Sequence, residues 1–381
     1  MRRRLQNSIA ESALTLPVAG VLATLLWWLP QGAYSTAYLQ AWLSSAVMTF
    51  FVIETTNANS LLRVRSQMIA ALLLFALAVC GFLHAQYSPL LCMLGLMLTF
   101  YSMLQTVPQS SSVDSSRGRR VSRRPQVATF HAFLFLSLGS IEWPPMLMLA
   151  LPLLLGQGVF LQSLSWRCLG AAFIGMVLPY FFWSAAAFTL DTFPPFVAHA
   201  EAIIAPVSGP IANVMAGQPL LSATYQQWML LDSGDFPAII GPWVMHHLPR
   251  LTALVFVVLL ALTGFIYYYR NSYDDKIRVR ACHHFFLMMM VVIMLWLAAQ
   301  PRHYEYLFPM LLLMATPSAA HFVAHTHTWF TNAWFVILSI FMVVVGICNL
   351  VPGIEQHLYS LSDMLQQILM TLQVASFFIS H

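Results

Sequence analysis

Side chains suited to acid–base chemistry and anion binding occur together in one short stretch between two long apolar runs. Arg302, His303 and Glu305 lie in the sequence QPRHYEYLFP, residues 300–309. A guanidinium and an imidazole at a water-exposed helix mouth are suited to binding a phosphate or pyrophosphate, with the carboxylate as a general base. The alternative is structural. Arg302 and Glu305 would then cap the helix and pair locally, while the neighbouring tyrosines would lie in an interfacial aromatic belt.

Additional acidic candidates lie on one long loop, residues 191–250, where Asp191 and Asp235 are candidate catalytic carboxylates. If this segment lies on the same side of a membrane as Arg302, its carboxylates face the same mouth. Membrane enzymes that use polyprenyl-linked sugars share this general plan of many spans and one large outer loop. The likeness is one of architecture, without a shared motif.

Histidines form a second group of candidates. His321 and His325 are four residues apart in HFVAHTH and share one helix face, which makes them a feasible metal pair, and His327 follows. His283 and His284 begin another apolar run that is predicted to start on the same side. Membrane hydroxylases and desaturases with di-iron centres place His clusters in this way, although this chain lacks an HxxHH pattern. The alternative is that these interfacial histidines hydrogen-bond to lipid headgroups or to carbonyl groups.

Two short polar turns, ETTNANSLLRVR and SYDDKIRVR, mix acids, amides and arginines. We predict a polar hinge over residues 54–66, in which Asn57 or Asn59 caps a helix. Asp274 and Asp275 are expected to pair with the basic residues beside them. These turns would lock the cytoplasmic face of the protein, dock a partner or gate a substrate.

The composition determines the solvent in which these residues act. Of 381 residues, 59% are hydrophobic and 8% are charged, whereas a soluble domain has about 25% charged residues. Several apolar runs reach the roughly 17–25 residues that cross a bilayer. The net charge of +4 is small and asymmetrically placed, which favours membrane topology over nucleic-acid binding. No ionisable Asp, Glu, Lys or Arg lies near the middle of an apolar run, which argues against an ion-coupled pump.

The fold class predicted from these runs is an all-α, polytopic transmembrane helical bundle with about eleven spans. A single transmembrane domain would cover residues 1–350, with a flexible cytoplasmic loop at 106–126 and an extracytoplasmic loop at 191–250. Residues 351–381 would form an amphipathic tail, with a twelfth span at 367–379 as the alternative. The first run is expected to be retained and not cleaved as a signal peptide. The predicted spans are 13–28, 38–53, 68–83, 90–103, 128–141, 146–164, 169–188, 251–269, 284–299, 307–323 and 333–350.

The distribution of basic residues predicts the orientation of the bundle. With the N-terminus in the cytoplasm, fifteen of the seventeen Lys and Arg residues fall on cytoplasmic segments. Only Arg250 and Arg302 fall outside. This satisfies the positive-inside rule and predicts an N-in, C-out topology. Arg302 is therefore a residue that topology alone does not explain.

Five stretches carry a resemblance to a known family. They are RLQNSIAES, ETTNANSLLRVRSQM, SYDDKIRVR, AAQPRHYEYLF and SAAHFVAHTHTWFTNAWFVI. Together they resemble an uncharacterised family of bacterial inner-membrane proteins with about ten or more spans. The resemblance implies a multi-spanning fold in the bacterial inner membrane. It carries over no catalytic residue.

Three functions are compatible with the sequence. The first is an accessory, non-catalytic component of envelope assembly, with membrane lipids and other envelope proteins as partners. The alternative is an enzyme or carrier for a lipid-linked substrate of the polyprenyl-phosphate type at the outer face. A second alternative is a His-ligated, metal-dependent lipid oxidoreductase. No Gly-rich phosphate loop, GxSxG or HExxH pattern occurs, so no cofactor is expected, and no nucleic acid is expected as a partner.

Overall fold

The structure is a computed structural model that describes residues 5–28, 36–59, 61–62, 66–81, 87–107, 124–190, 193–215, 248–325 and 328–350. In these ranges the chain is all-α, with short 3₁₀ helices at Pro144–Leu149, Ser272–Asp274 and Pro301–His303. The α-helices are α1 Leu5–Glu11, α2 Thr15–Trp28, α3 Thr36–Asn59, α4 Met68–Val79, α5 Tyr87–Leu104, α6 Pro125–Glu142, α7 Ala150–Val159, α8 Trp166–Thr189, α9 Phe193–Met215, α10 Leu248–Asn271, α11 Ile277–Ala299, α12 Tyr304–His325 and α13 Trp329–Leu350.

The apolar runs of the sequence become the long helices of a membrane bundle. Five helices in the described ranges are long and apolar enough to cross a bilayer, namely those within α8, α10, α11, α12 and α13. Shorter apolar helices accompany them at Thr15–Leu26, Met68–Val79, Ser88–Leu104 and Pro144–Val159. The predicted all-α, polytopic fold is therefore confirmed, and every predicted span overlaps a helical segment.

Helix α12 lies at the centre of the bundle. Every residue from Leu307 to Ala324 is buried, against α4, α5, α10 and α11 among others. Because this stretch is buried on every side, it has no face left for lipid and is surrounded by other helices. Small residues allow one of these neighbours to come very close. A Cβ on Gly264 of α10 would lie 2.7 Å from the backbone of Ser318 and of Ala319.

A second close crossing joins α6 and α8. A Cβ on Gly175 would lie 2.6 Å from the Phe130 carbonyl oxygen. The Ser137 hydroxyl donates to the Met176 carbonyl at 2.8 Å across the same crossing. Small residues and interhelical hydrogen bonds are the usual means by which membrane helices associate. This crossing holds α8, whose opposite side is largely exposed, against the bundle.

Contacts between helix ends agree with the predicted alternation of helix direction. Trp143, which follows α6, stacks on Tyr306 at the start of α12, and Tyr306 shares a hydrogen bond with Ser88 at the start of α5. At the opposite end, Arg278 near the start of α11 donates to Asn59 at the end of α3. Ends that were predicted to lie on one side of the membrane therefore meet one another.

Three boundaries differ from the prediction. The polar hinge over 54–66 is wrong in its first half, because α3 continues to Asn59. The side chains of Thr55, Thr56 and Asn59 each donate to a carbonyl four residues earlier, so the helix itself satisfies them. Helix α6 begins at Pro125, inside the loop predicted over 106–126, because proline suits the first turn of a helix. The sixth span is also shorter than predicted, with α7 ending at Val159.

The segment over residues 191–250 contains more structure than the sequence indicated. Its prolines favour short pieces, yet α9 is a single helix of 23 residues, Phe193–Met215. Two of these prolines lie in the first turn, where a missing N–H removes no helical hydrogen bond. Helix α10 also begins inside the predicted loop, at Leu248. The predicted amphipathic tail, residues 351–381, lies outside the described residues.

Candidate functional site at the two ends of the central helix

The charged stretch recognised in the sequence forms the entrance to α12. Arg302 and His303 lie in the 3₁₀ helix Pro301–His303, and Glu305 lies in the first turn of α12. Arg302 is exposed and His303 is half-buried. The Arg302 Nε donates to the His303 Nε2 at 3.1 Å. A neutral imidazole that accepts at Nε2 carries its proton on Nδ1, so this contact orients both side chains.

Glu305 pairs with the other arginine that was predicted outside. Its Oε1 lies 3.2 Å from the Arg250 Nη2, with 39% and 57% of the two side chains exposed. The Tyr304 hydroxyl donates to the Arg250 carbonyl at 3.3 Å, and the Arg250 guanidinium lies 5.8 Å from the Tyr304 ring centre. Glu305 is thus paired locally, although with Arg250 and not with its neighbour Arg302. The pairing draws α10 and α12 together at this end.

An aromatic cluster packs beneath the mouth of α12, which is the end of the bundle that contains Arg250, Arg302, His303 and Glu305. The Trp143 ring is stacked on Tyr306, with centroids 5.0 Å apart and an interplanar angle of 7°, and on Trp296 at 5.4 Å. His303 lies 5.5 Å from the same Trp143 ring. Only 4% of Trp143 is exposed, so the cluster packs within the bundle and is not a lipid-facing belt. Sequence reasoning missed Trp143 and Trp296. Their only signal was a position at the end of an apolar run.

Helix α9 covers part of this end of the bundle. The His199 Nε2 lies 3.3 Å from the Tyr180 hydroxyl, and its ring packs on Trp183 at 4.6 Å. Burial lowers the pKa of His199, and a hydrogen bond to the Ser140 backbone partly offsets this effect. The Gln300 side chain, at the start of the charged stretch, donates to the Pro206 carbonyl in α9. The loop helix is therefore attached both to α8 and to the mouth.

The remaining candidates of the outer group, Asp191 and Asp235, lie outside the described residues. The structure therefore places Arg302, His303 and Glu305 together at one mouth.

The histidines gather at the opposite end of α12. His321 and His283 are fully buried there, and Tyr268 stacks on His283 with centroids 4.5 Å apart. The His321 ring lies 5.4 Å from His283 and 4.4 Å from His325. The His321 Nε2 lies 3.3 Å from the Asp275 Oδ2, and both side chains are 1% exposed. Asp275 therefore pairs with the central helix. The pairing of Asp275 with a neighbouring basic residue stays a prediction.

The geometry of these rings bears on the metal hypothesis. Among the described residues, no group of three or more His, Cys, Asp or Glu side chains is placed to hold a metal ion. The His283 Nε2 lies 3.1 Å from the Leu61 carbonyl, and the His284 Nδ1 lies 2.7 Å from the Arg280 carbonyl. His327 lies outside the described residues. The described histidines thus line a polar junction between helices.

This junction also joins the two polar turns that the sequence singled out. The Arg278 Nη2 donates to the Asn59 Oδ1 at 2.8 Å, while Asn59 donates to Thr55 within its own helix. The turn after α3 and the turn before α11 therefore meet, and the Asn59 side chain also hydrogen-bonds within the last turn of α3. A hydrogen bond to a charged group contributes about 1.5–3 kcal/mol to stability. The contact fixes α3 against α11 at this end.

Comparisons with known proteins add little to this geometry. The comparison with protein-family models finds no match to the chain, and the comparison with curated proteins finds none either. Among solved structures, the chain is similar to the oligosaccharyltransferase of Archaeoglobus fulgidus in its apo form, with a TM-score of 0.47 and 12% sequence identity. The similarity covers 91% of this chain and 50% of the other, so the chain spans half the length of that protein. At this level the similarity supports no conclusion about activity or substrate.

Proposed function

We propose that this membrane protein is a non-catalytic, accessory component of envelope assembly in the bacterial inner membrane. The observation that carries the proposal is the pairing of Glu305 with Arg250, 3.2 Å apart. A general base must accept a proton from its substrate within hydrogen-bond reach. Glu305 accepts from Arg250 and His303 accepts from Arg302. In the described part of the mouth, both acid–base candidates are therefore engaged by arginines of the protein itself.

The opposite end of the bundle supports the same proposal. Asp275, His321 and His283 are buried among helices, and Arg278 joins α11 to α3. Buried polar groups of this kind are retained where they specify one arrangement of the helices. A junction that fixes four helix ends suits a scaffold with a single packed state. The histidine-dependent oxidoreductase is not carried further, because no three His, Cys, Asp or Glu side chains in the described ranges are placed to share a metal ion.

One observation favours the enzyme or carrier for a lipid-linked substrate as a second candidate. Arg302 is exposed, and it bonds only His303 among the residues that the structure describes. Such an arginine suits a polyprenyl phosphate. The general base of that enzyme would then be Glu305 after release from Arg250, or Asp191 or Asp235.

The test replaces the acid–base candidates in cells that depend on the variant protein. Glu305→Gln and His303→Ala are expressed in a strain depleted of the native protein, and growth and envelope integrity are measured at equal membrane abundance. Loss of general acid–base catalysis lowers a rate by about 10²–10⁴-fold. Loss of an exposed ion pair costs only about 0–1 kcal/mol of stability. An accessory protein therefore predicts growth like the parent.

A destabilised variant serves as the control for this experiment. Gly264→Leu inserts a side chain where a Cβ alone would lie 2.7 Å from the α12 backbone, so it is expected to lose both abundance and complementation. If Glu305→Gln or His303→Ala reaches the parental abundance in the membrane and still fails to support growth, the outer-face enzyme replaces the accessory component as the better account.

A further inference from the structure

The two basic residues predicted on the outer side converge on one end of one helix. Arg250 and Arg302 are far apart in sequence, yet Arg250 contacts Tyr304 and Glu305 in the turn that follows Arg302. Topology places the other fifteen basic residues on the opposite side. The two arginines that the positive-inside rule does not explain therefore belong to one structural feature, the mouth of α12.

The two arginines differ in what they bond. Arg250 is neutralised by Glu305 at 3.2 Å. Arg302 uses its Nε on His303, while its terminal nitrogens meet no acceptor among the residues that the structure describes. Glu142 and Glu201 are exposed carboxylates at this end, and neither forms an ion pair with Arg302 in the described ranges. Within the described ranges, one positive charge at the mouth of α12 therefore meets no carboxylate of the protein.

The surroundings hold this charge in a fixed orientation. His303 accepts from the Arg302 Nε at 3.1 Å and lies 5.5 Å from Trp143. Trp143 is buried and stacked on Trp296 and Tyr306. A guanidinium held through Nε presents its two remaining nitrogens as a fork. That fork matches two oxygens of a phosphate group.

The position of Arg302 relative to the bilayer indicates whether its ligand is a lipid phosphate or a soluble phosphate. It lies between α11 and α12, two apolar helices long enough to cross a bilayer, directly where both reach the same side. At that level the surrounding medium is the headgroup layer, in which lipid phosphates are the most concentrated anions. A lipid phosphate is therefore favoured over a soluble phosphate. The ligand predicted by charge and depth together is an anionic phospholipid.

We propose that Arg302 binds the phosphate of an anionic phospholipid headgroup in the outer leaflet, with His303 and Trp143 as positioning residues. The site goes beyond the proposed accessory function and does not require it. A protein that fails to bind this lipid can still assist envelope assembly. A protein that turns out to be an enzyme can still hold the lipid.

The test measures lipid binding to the full chain purified in detergent, by native mass spectrometry. The probes are phosphatidylglycerol, phosphatidylcholine with the same acyl chains, and inorganic phosphate. Arg302→Gln is expected to weaken phosphatidylglycerol binding by about tenfold or more, the loss expected for a charge-assisted bond. Arg302→Lys retains the charge without the fork and should lie in between. Phosphatidylcholine binding should not change.

Arg270→Gln is the matched control, because Arg270 is an exposed arginine at the other end of α10. It should bind phosphatidylglycerol at the mouth as the native chain does. The thermal stability of Arg302→Gln should match the native value, since its side chain is exposed. Native-like phosphatidylglycerol binding by Arg302→Gln overturns the proposal. Displacement of the lipid by inorganic phosphate at equal concentration overturns the assignment to a lipid headgroup.

Discussion

Helix α8 contains two glycines in opposite surroundings, and alanine at each should change stability in opposite directions. A Cβ on Gly175 would lie 2.6 Å from the Phe130 carbonyl oxygen, whereas nothing lies within 4 Å of a Cβ on Gly170. For an ordinary 3.4 Å contact, α6 and α8 would have to separate by about 0.8 Å. Such overpacking costs about 1–3 kcal/mol. Alanine otherwise stabilises a helix by about 0.5–1 kcal/mol relative to glycine.

The net expectation is a loss of about 0–2.5 kcal/mol for Gly175→Ala and a gain of about 0.5–1 kcal/mol for Gly170→Ala. The assay heats detergent-solubilised protein through a temperature series and measures the surviving monodisperse fraction by size-exclusion chromatography. Both variants share one helix and one chemical change, so helix propensity cancels in the comparison. Equal midpoints for the two variants would refute the close crossing of α6 and α8.

Two further predictions concern the ends of the bundle. Asp275→Ala removes the buried carboxylate that lies 3.3 Å from His321, so it should destabilise the protein by about 1–3 kcal/mol in the same heating assay. Lys276→Ala is the control, and it should have little effect because Lys276 is exposed. Because burial lowers the pKa of His199, the neutral ring should stabilise the docking of α9 above about pH 6.5, and this stabilisation should decrease as the pH falls below that value. The protection of residues 193–215 from hydrogen exchange measures this docking. His199→Phe should remove the pH dependence of the protection. Protection that is independent of pH in the native chain would refute the role of His199.

Local sequence patterns were enough to predict the helices and their alternation. Apolar runs mark segments that must satisfy their own backbone hydrogen bonds in lipid, and only helices do so within one segment. Basic residues then indicate on which side of the membrane each loop lies, since Arg and Lys are retained on the cytoplasmic side. These two rules act on short windows of sequence. The long helices α8, α10, α11, α12 and α13 follow from them directly.

The pairings at the ends of α12 were beyond the reach of such rules. Glu305 contacts Arg250, and Asp275 contacts His321, each across a long sequence separation. The partner of a charged residue depends on how the helices pack, and short-range periodicity does not predict that packing. The length of α9 was missed for a different reason. Its prolines favour chain breaks, but Pro194 and Pro195 lie in the first turn, where proline removes no hydrogen bond, and the helix continues through Pro206 and Pro210.

The outer-leaflet lipid site depends most directly on the side of the membrane that the mouth of α12 faces. In a chain that carries Cys348→Ser, Arg302→Cys and Arg270→Cys each place one exposed thiol at one of the two opposite ends, because the other four native cysteines are buried. A membrane-impermeant maleimide is applied to spheroplasts before and after permeabilisation. The account predicts labelling of Arg302→Cys in intact spheroplasts and of Arg270→Cys only after permeabilisation. The reverse pattern would contradict the outer location of the mouth and the assignment of its lipid to the outer leaflet.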